Sequence, residues 1–202
     1  EVINLEIKAL EKLKKNLNDS FNKAVLEISK CQSKIILCGV GKSGIIASKI
    51  AATLSSVGSP SFYLSASDSS HGDLGSISKK DILILISNSG ETSELKNIIQ
   101  YAKRNKILLI GIVSKKESIL FKASDVKLVI PKVVEAGVIV PTSSTTSQLA
   151  LGDALAIATM KHKKFSKIDF KNLHPGGSLG AQLKTVEDLM ITGKKIPFVN
   201  EN

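Results

Sequence analysis

Apolar positions recur with two different periods along this chain, and the difference separates helices from strands. From Ile3 to about Ser29, residues Ile3, Ile7, Leu10, Leu13, Leu17, Phe21, Val25 and Ile28 return at helical spacing among lysines and glutamates. That spacing predicts a long amphipathic helix, or two, packed on a core or on a partner chain. Residues 34–38, 61–64, 82–86, 107–113 and 126–130 are instead short apolar runs, as expected of strands in a parallel sheet covered on both faces. Helical stretches fall between them: a small-residue helix ending at Leu54, one from about Ser93 to Lys103, a turn at 118–123, and an apolar helix from Gln148 to Met160 behind the hydroxyl caps of 142–146. Strand and helix in alternation imply an α/β fold: a right-handed parallel sheet with helices on both faces and ligands bound beyond the carboxyl ends of its strands.

The chemistry-bearing residues gather where the strands end. The run Ile82 to Ile86 stops in Ser87, Asn88, Ser89, Gly90, Glu91 and Thr92, which place hydroxyls, an amide and a flexible backbone at the start of the next helix. Unpaired N–H groups and the positive dipole end of that helix make this an anion site, the alternative being an ordinary serine-rich cap. Gly39-Val40-Gly41-Lys42-Ser43-Gly44 follows the first strand. It matches neither a dinucleotide fingerprint nor a Walker loop, and leaves a glycine turn that brings Lys42 to the same edge or leaves it solvated. A glycine-punctuated stretch, 67–75, carries His71 and reads as a loop or short helix over the site. Glu135 lies beyond the fifth strand, and Gly152-Asp153 inside the apolar helix points to close packing or an interface. His174 precedes Pro175, Gly176 and Gly177, a context that extends the backbone at the histidine and serves either a loop hydrogen bond or chemistry.

Composition narrows the partners. The 202 residues, 43% of them hydrophobic, can bury one substantial core. The apolar runs are too short to span a membrane and the first residues do not follow the order of a secretion signal, so a cytoplasmic chain without membrane contact is expected. Cys31 and Cys38 have no histidine or acidic neighbours, which favours reduced structural cysteines and no metal or other cofactor. A net charge of +10 raises nucleic acid as a partner. Yet of 28 basic residues only Arg104 is arginine, and aromatics are 4%. Base readout and stacking need the residues this chain lacks, so no nucleic-acid partner is expected. With one arginine, a phosphate would be held by backbone N–H groups, hydroxyls and lysine.

Taken together and in this order, Gly-Val-Gly-Lys-Ser-Gly at 39–44, His-Gly-Asp-Leu-Gly at 71–75, Ser-Asn-Ser-Gly-Glu-Thr-Ser-Glu at 87–94, Pro-Thr-Ser-Ser-Thr-Thr at 141–146 and His-Pro-Gly-Gly at 174–177 resemble the arabinose-5-phosphate isomerase family. The resemblance implies a sugar isomerase (SIS) domain over 1–184, a flavodoxin-like three-layer αβα sandwich with a five-stranded parallel sheet. Residues 185–202 then resemble a linker and the entry into a truncated CBS module. It implies interconversion of D-ribulose 5-phosphate and D-arabinose 5-phosphate for Kdo, a component of lipopolysaccharide or capsule. By the same similarity Lys42, Glu94, Glu135, His174 and His71 fall on catalytic positions, and Ser43, Gly58, Ser59, Ser87, Asn88, Ser89, Glu91 and Thr92 on substrate-binding ones. Relatives form tetramers in which the histidine equivalent to His174 enters a neighbour's site, so a homo-oligomer is expected. Where relatives often carry His and Glu, this chain has Ser65 and Asp68, which weakens any case for a bound metal.

Moving a carbonyl between two carbons of an opened sugar needs a base for the carbon-bound proton, an acid for the oxygen and a charge to stabilise the enediolate. Glu135 or Glu94 suits the base, since desolvation beneath a substrate raises a carboxylate's pKa toward working pH. Lys42 suits the enediolate or phosphate, and His174 and His71 suit ring opening and proton relay. Glu94 also fits a helix-dipole role without chemistry, and neighbouring Glu91 is easily confused with it. A non-catalytic SIS regulator that senses a sugar phosphate, or an isomerase of another sugar phosphate, is the alternative reading.

Overall fold

The computed structural model describes residues 1–174, 186 and 190–196. The helical spacing near the N-terminus yields two helices, α1 (Val2–Asn16) and α2 (Asp19–Lys30), because the chain extends at Leu17 and the Asn18 side chain accepts the Ser20 N–H to start the second. The five apolar runs become β1 (Ile35–Gly39), β2 (Ser61–Tyr63), β3 (Ile82–Ser87), β4 (Leu108–Val113) and β5 (Val126–Val129). They pair in parallel in the order β2-β1-β3-β4-β5, with Ile35 opposite Ile82 and Ile82 opposite Leu108. Between them run α3 (Lys42–Ser56), the short α4 (Ala66–Ser69), α5 (Lys96–Asn105) and α6 (Ile119–Ala123), followed by the long α7 (Ser143–His162).

Alternate residues of the central strands β1, β3 and β4 enter opposite cores, which is why these strands read as continuous apolar runs. Ile35, Leu37, Ile82, Ile84 and Ile86 pack with residues of α2, α3 and α7. Ile36, Cys38, Leu83 and Leu85 face Ile98, Ile99 and Ala102 of α5 and Leu120 of α6. The expected α/β sheet with helices on both faces is therefore present. Gly152 of α7 is needed within the chain: a Cβ there would lie 2.2 Å from the Ile50 Cδ1 atom of α3. Asp153 beside it pairs with Lys49 of α3, so the Gly152-Asp153 signal marks close helix packing.

By its contacts the chain divides into two units, Glu1–Lys164 and Phe165–Asn202. The second unit contains α8 (Lys167–Leu173), started by a capping box in which Ser166 and Asp169 bond each other's backbone N–H. The His-Pro-Gly-Gly motif after His174, and most of the segment expected to open a CBS module, lie outside the described residues. No helix among the described residues is long and apolar enough to cross a membrane.

Candidate active site at the carboxyl edge of the sheet

At the end of β1 the chain turns into α3 with almost no room. A Cβ on Gly39 would sit 2.8 Å from the Ser43 carbonyl oxygen, and one on Gly44 would sit 2.7 Å from the Gly39 oxygen and 2.9 Å from the Tyr63 hydroxyl. Tyr63 donates to the Gly39 carbonyl across 3.0 Å, locking the turn from β2. Gly41 has a φ of 58°, so the tightness and the left-handed step together account for three glycines in this motif. Lys42 is consequently the first residue of α3 and exposed at the carboxyl edge, with Ser43 half-buried behind it.

The loop after β3 is more rigid than its composition implies. Ser87 is buried, and its hydroxyl accepts the Gly90 N–H at 2.9 Å while sharing a 2.8 Å hydrogen bond with Thr92. Ser89 accepts the Glu91 N–H at 3.2 Å. Gly90, read from sequence as a source of flexibility, has a φ of 68°, and a Cβ there would lie 2.1 Å from the Ser118 hydroxyl. Its carbonyl accepts the Leu120 N–H, and Glu91 reaches across to accept the Ile119 N–H at 3.0 Å. The loop is thus clamped onto the start of α6, with one Glu91 carboxylate oxygen in the clamp. Beyond it a 3-10 turn, Ser93–Leu95, precedes α5. Glu94 is exposed there, bonded by the Ser93 hydroxyl at 2.7 Å, which holds its carboxyl below the usual range.

Glu135 occupies the amino end of α7. Its carboxylate accepts the N–H groups of Thr142 at 2.8 Å and Ser144 at 3.2 Å, together with the Thr142 hydroxyl at 3.2 Å. Burial alone would raise its pKa, as expected from the sequence. Hydrogen bonds from Ser144 and Thr142 outweigh that and hold it below the ordinary 4.5. Glu135 therefore caps a helix as a carboxylate, with the positive dipole end before it.

Glu135 also lines a cavity of about 320 Å³ with Asn88, Ser114, Lys115, Lys132 and Val133. Three strand ends contribute to it: Asn88 follows β3, Ser114 and Lys115 follow β4, and the others follow β5. The fold thereby brings Glu135 to the serine loop. Lys115 and Lys132 went unremarked in the sequence, where nothing distinguishes them from solvated lysines.

Other expected site residues are placed differently. His71 is exposed between α4 and a 3-10 turn at Asp73–Ser76, its N–H bonded to the Asp68 carbonyl at 2.8 Å. Ser65 caps α4 by accepting the Asp68 N–H. Gly58 and Ser59 lie between α3 and the start of β2, at the amino edge of the sheet and away from the Asn88 end. Ser59 is buried there, and Lys163 donates to the Gly58 carbonyl and the Ser59 hydroxyl. His174 belongs to the second unit. Its ring stacks on Phe170 with centroids 3.8 Å apart, and Nδ1 lies 2.8 Å from the Phe170 carbonyl. A carbonyl can only accept, so Nδ1 carries the proton and Nε2 is the atom left for other chemistry.

A doubly wound parallel sheet with a serine-glycine loop at its switch point accords with the SIS domain, whose family model matches residues 27–158; the chain belongs to that family. Several relatives are named arabinose 5-phosphate isomerase KdsD, among them those of Yersinia pestis and Francisella tularensis. That of Yersinia pestis is 44% identical over 99% of this chain and 62% of its own length, and that of Francisella tularensis subsp. tularensis is 45% identical over 98% and 63%. The chain thus spans about three fifths of the length of these curated relatives. A protein of Escherichia coli CFT073 solved in complex with arabinose 5-phosphate superposes with a TM-score of 0.83 at 39% identity, covering 86% of this chain and 94% of that one.

Proposed function

We propose that this chain is the isomerase portion of an arabinose-5-phosphate isomerase, interconverting D-ribulose 5-phosphate and D-arabinose 5-phosphate ahead of Kdo synthesis. The observation that carries the reading is the cavity in which an ionised Glu135 meets Asn88 of the anion loop. Its support is the likeness to the two isomerases and to the protein solved with the sugar phosphate bound. Glu135, already a carboxylate, takes the carbon-bound proton. Lys42 stabilises the enediolate oxygen, and Ser89, Thr92 and neighbouring N–H groups receive the phosphate. Ser43, Ser87 and Asn88 complete the substrate contacts, Ser87 by shaping the loop. His71, His174 and Glu94 serve ring opening and proton relay, and Gly58 and Ser59 retain only the family resemblance as support. The protein works in the cytoplasm as a homo-oligomer, a tetramer, with CBS modules following the SIS domain.

The test is to incubate purified protein with ribulose 5-phosphate and assay arabinose 5-phosphate, with ribose and sedoheptulose phosphates as comparisons. Turnover confined to the first pair is the expected result. Turnover of another phosphate alone reassigns the substrate, and turnover of none assigns the domain to sensing.

A further inference from the structure

Lys115 is an exposed lysine whose backbone is unusually well held. The Ser114 N–H before it donates to the Asn88 carbonyl at 3.1 Å, tying this point of the chain to the anion loop. The Lys115 carbonyl accepts the Ser118 hydroxyl at 2.7 Å and the Ser118 N–H at 3.3 Å. Ser118 in turn is the residue against which Gly90 packs. Two separate contacts, one through Asn88 and one through Gly90, therefore fix Lys115 relative to the loop. Its side chain lines the cavity that also holds Asn88 and Glu135.

The loop needs such a neighbour. A phosphate dianion is best held by charge-assisted donors. Here the Ser87 hydroxyl is buried and already engaged with Gly90 and Thr92, and the Thr92 hydroxyl is engaged with Ser87. The chain's one arginine, Arg104, lines a different cavity with Ser69, Ser70 and Asn97. Lys132 shares the cavity with Lys115, but it follows β5 beside Glu135, whereas Lys115 directly follows Ser114, whose N–H is bonded to the Asn88 carbonyl.

We infer that Lys115 is a substrate-binding residue whose ammonium group pairs with the phosphate of the sugar-phosphate substrate held at the Ser87–Thr92 loop. The inference rests on the function proposed above. It assigns the sugar carbons to the Glu135 side of the cavity and the phosphate to the Asn88 side. A lysine acting only there contributes equally to ground state and transition state, so its removal raises KM and leaves kcat in place.

The experiment compares the parent chain with Lys115→Ala and Lys115→Arg, measuring kcat and KM for ribulose 5-phosphate and calorimetric affinity for arabinose 5-phosphate, with melting curves as a check on folding. Lys115→Ala is expected to raise KM and weaken affinity by about tenfold, the loss of one hydrogen bond to a charged group, with kcat within about twofold. Lys115→Arg is expected to recover most of the affinity. An unchanged KM and affinity in Lys115→Ala overturns the inference while parent turnover leaves the proposed function standing, and so does a fall in kcat at constant KM. A parent chain that neither turns over nor binds any sugar phosphate overturns both.

Discussion

At the scale of single residues, two carboxylates show how partners set charge. Glu135 is half-buried, yet two backbone N–H groups and a hydroxyl keep it ionised. If it is the base, the acid limb of kcat/KM, which reports the free protein, should fall below pH 4.5, the ordinary value for this group. A pH profile of kcat/KM checks this, and a limb near neutrality would move the base elsewhere. Asp81, whose side chain is 0% exposed, accepts from Ser33, from the Ser78 N–H and from Lys34, 3.0 Å away. Burial would raise its pKa, but these partners lower it from 3.8 to about 2. A depressed carboxylate stabilises the fold above its unfolded pKa and ceases to do so as the pH falls through the folded one. Asp81→Asn should therefore cost about 2 kcal/mol at neutral pH, from the size of the shift. The difference from the parent should narrow as pH falls from 3.8 towards 2, as read by urea denaturation at several pH values.

At the scale of elements, the anion loop and α6 act as one piece. Gly90 combines a φ of 68° with a missing Cβ that Ser118 would occupy. Gly90→Ala carries a left-handed conformation worth about 1 to 2 kcal/mol and adds a clash. Denaturation should show a loss of at least that size, and substrate affinity should fall with it because Ser89 and Thr92 shift. Equal stability and affinity would mean that the loop adapts freely. The periodic pattern located all five strands to within a residue or two, because burial on both faces makes the central strands β1, β3 and β4 continuous apolar runs. It did not reveal the clamp onto α6, because Gly90 and Ser118 are far apart in the chain and each alone suits an ordinary turn or cap.

At the scale of the whole molecule, exposed apolar side chains remain: Ile45 is 71% exposed, Val138 88% and Ile139 83%. The proposed oligomer would cover side chains of this kind between its subunits. The proposed oligomer, with His174 of one chain serving the Glu135 site of another, predicts that inactive Glu135→Ala and inactive His174→Ala proteins regain activity when mixed under conditions of subunit exchange. One site in a mixed interface would then carry both intact residues. Persistent inactivity after demonstrated exchange would confine His174 to its own chain.

Sequence by itself determined the layers and the edge. Strand periodicity, the glycine turn after β1 and the hydroxyl loop after β3 are local patterns, and connection handedness then places both loops at one sheet edge. Only the tertiary structure decided the company each residue keeps there. It paired Glu135 with the start of α7 and so lowered its pKa. It placed Gly58 and Ser59 at the far edge of the sheet, and it drew Lys115 from among the lysines to the anion loop. The physical reason is one of range: helix and strand preference follow from neighbours a few positions away, whereas electrostatic and packing environment depends on residues brought together from distant parts of the chain.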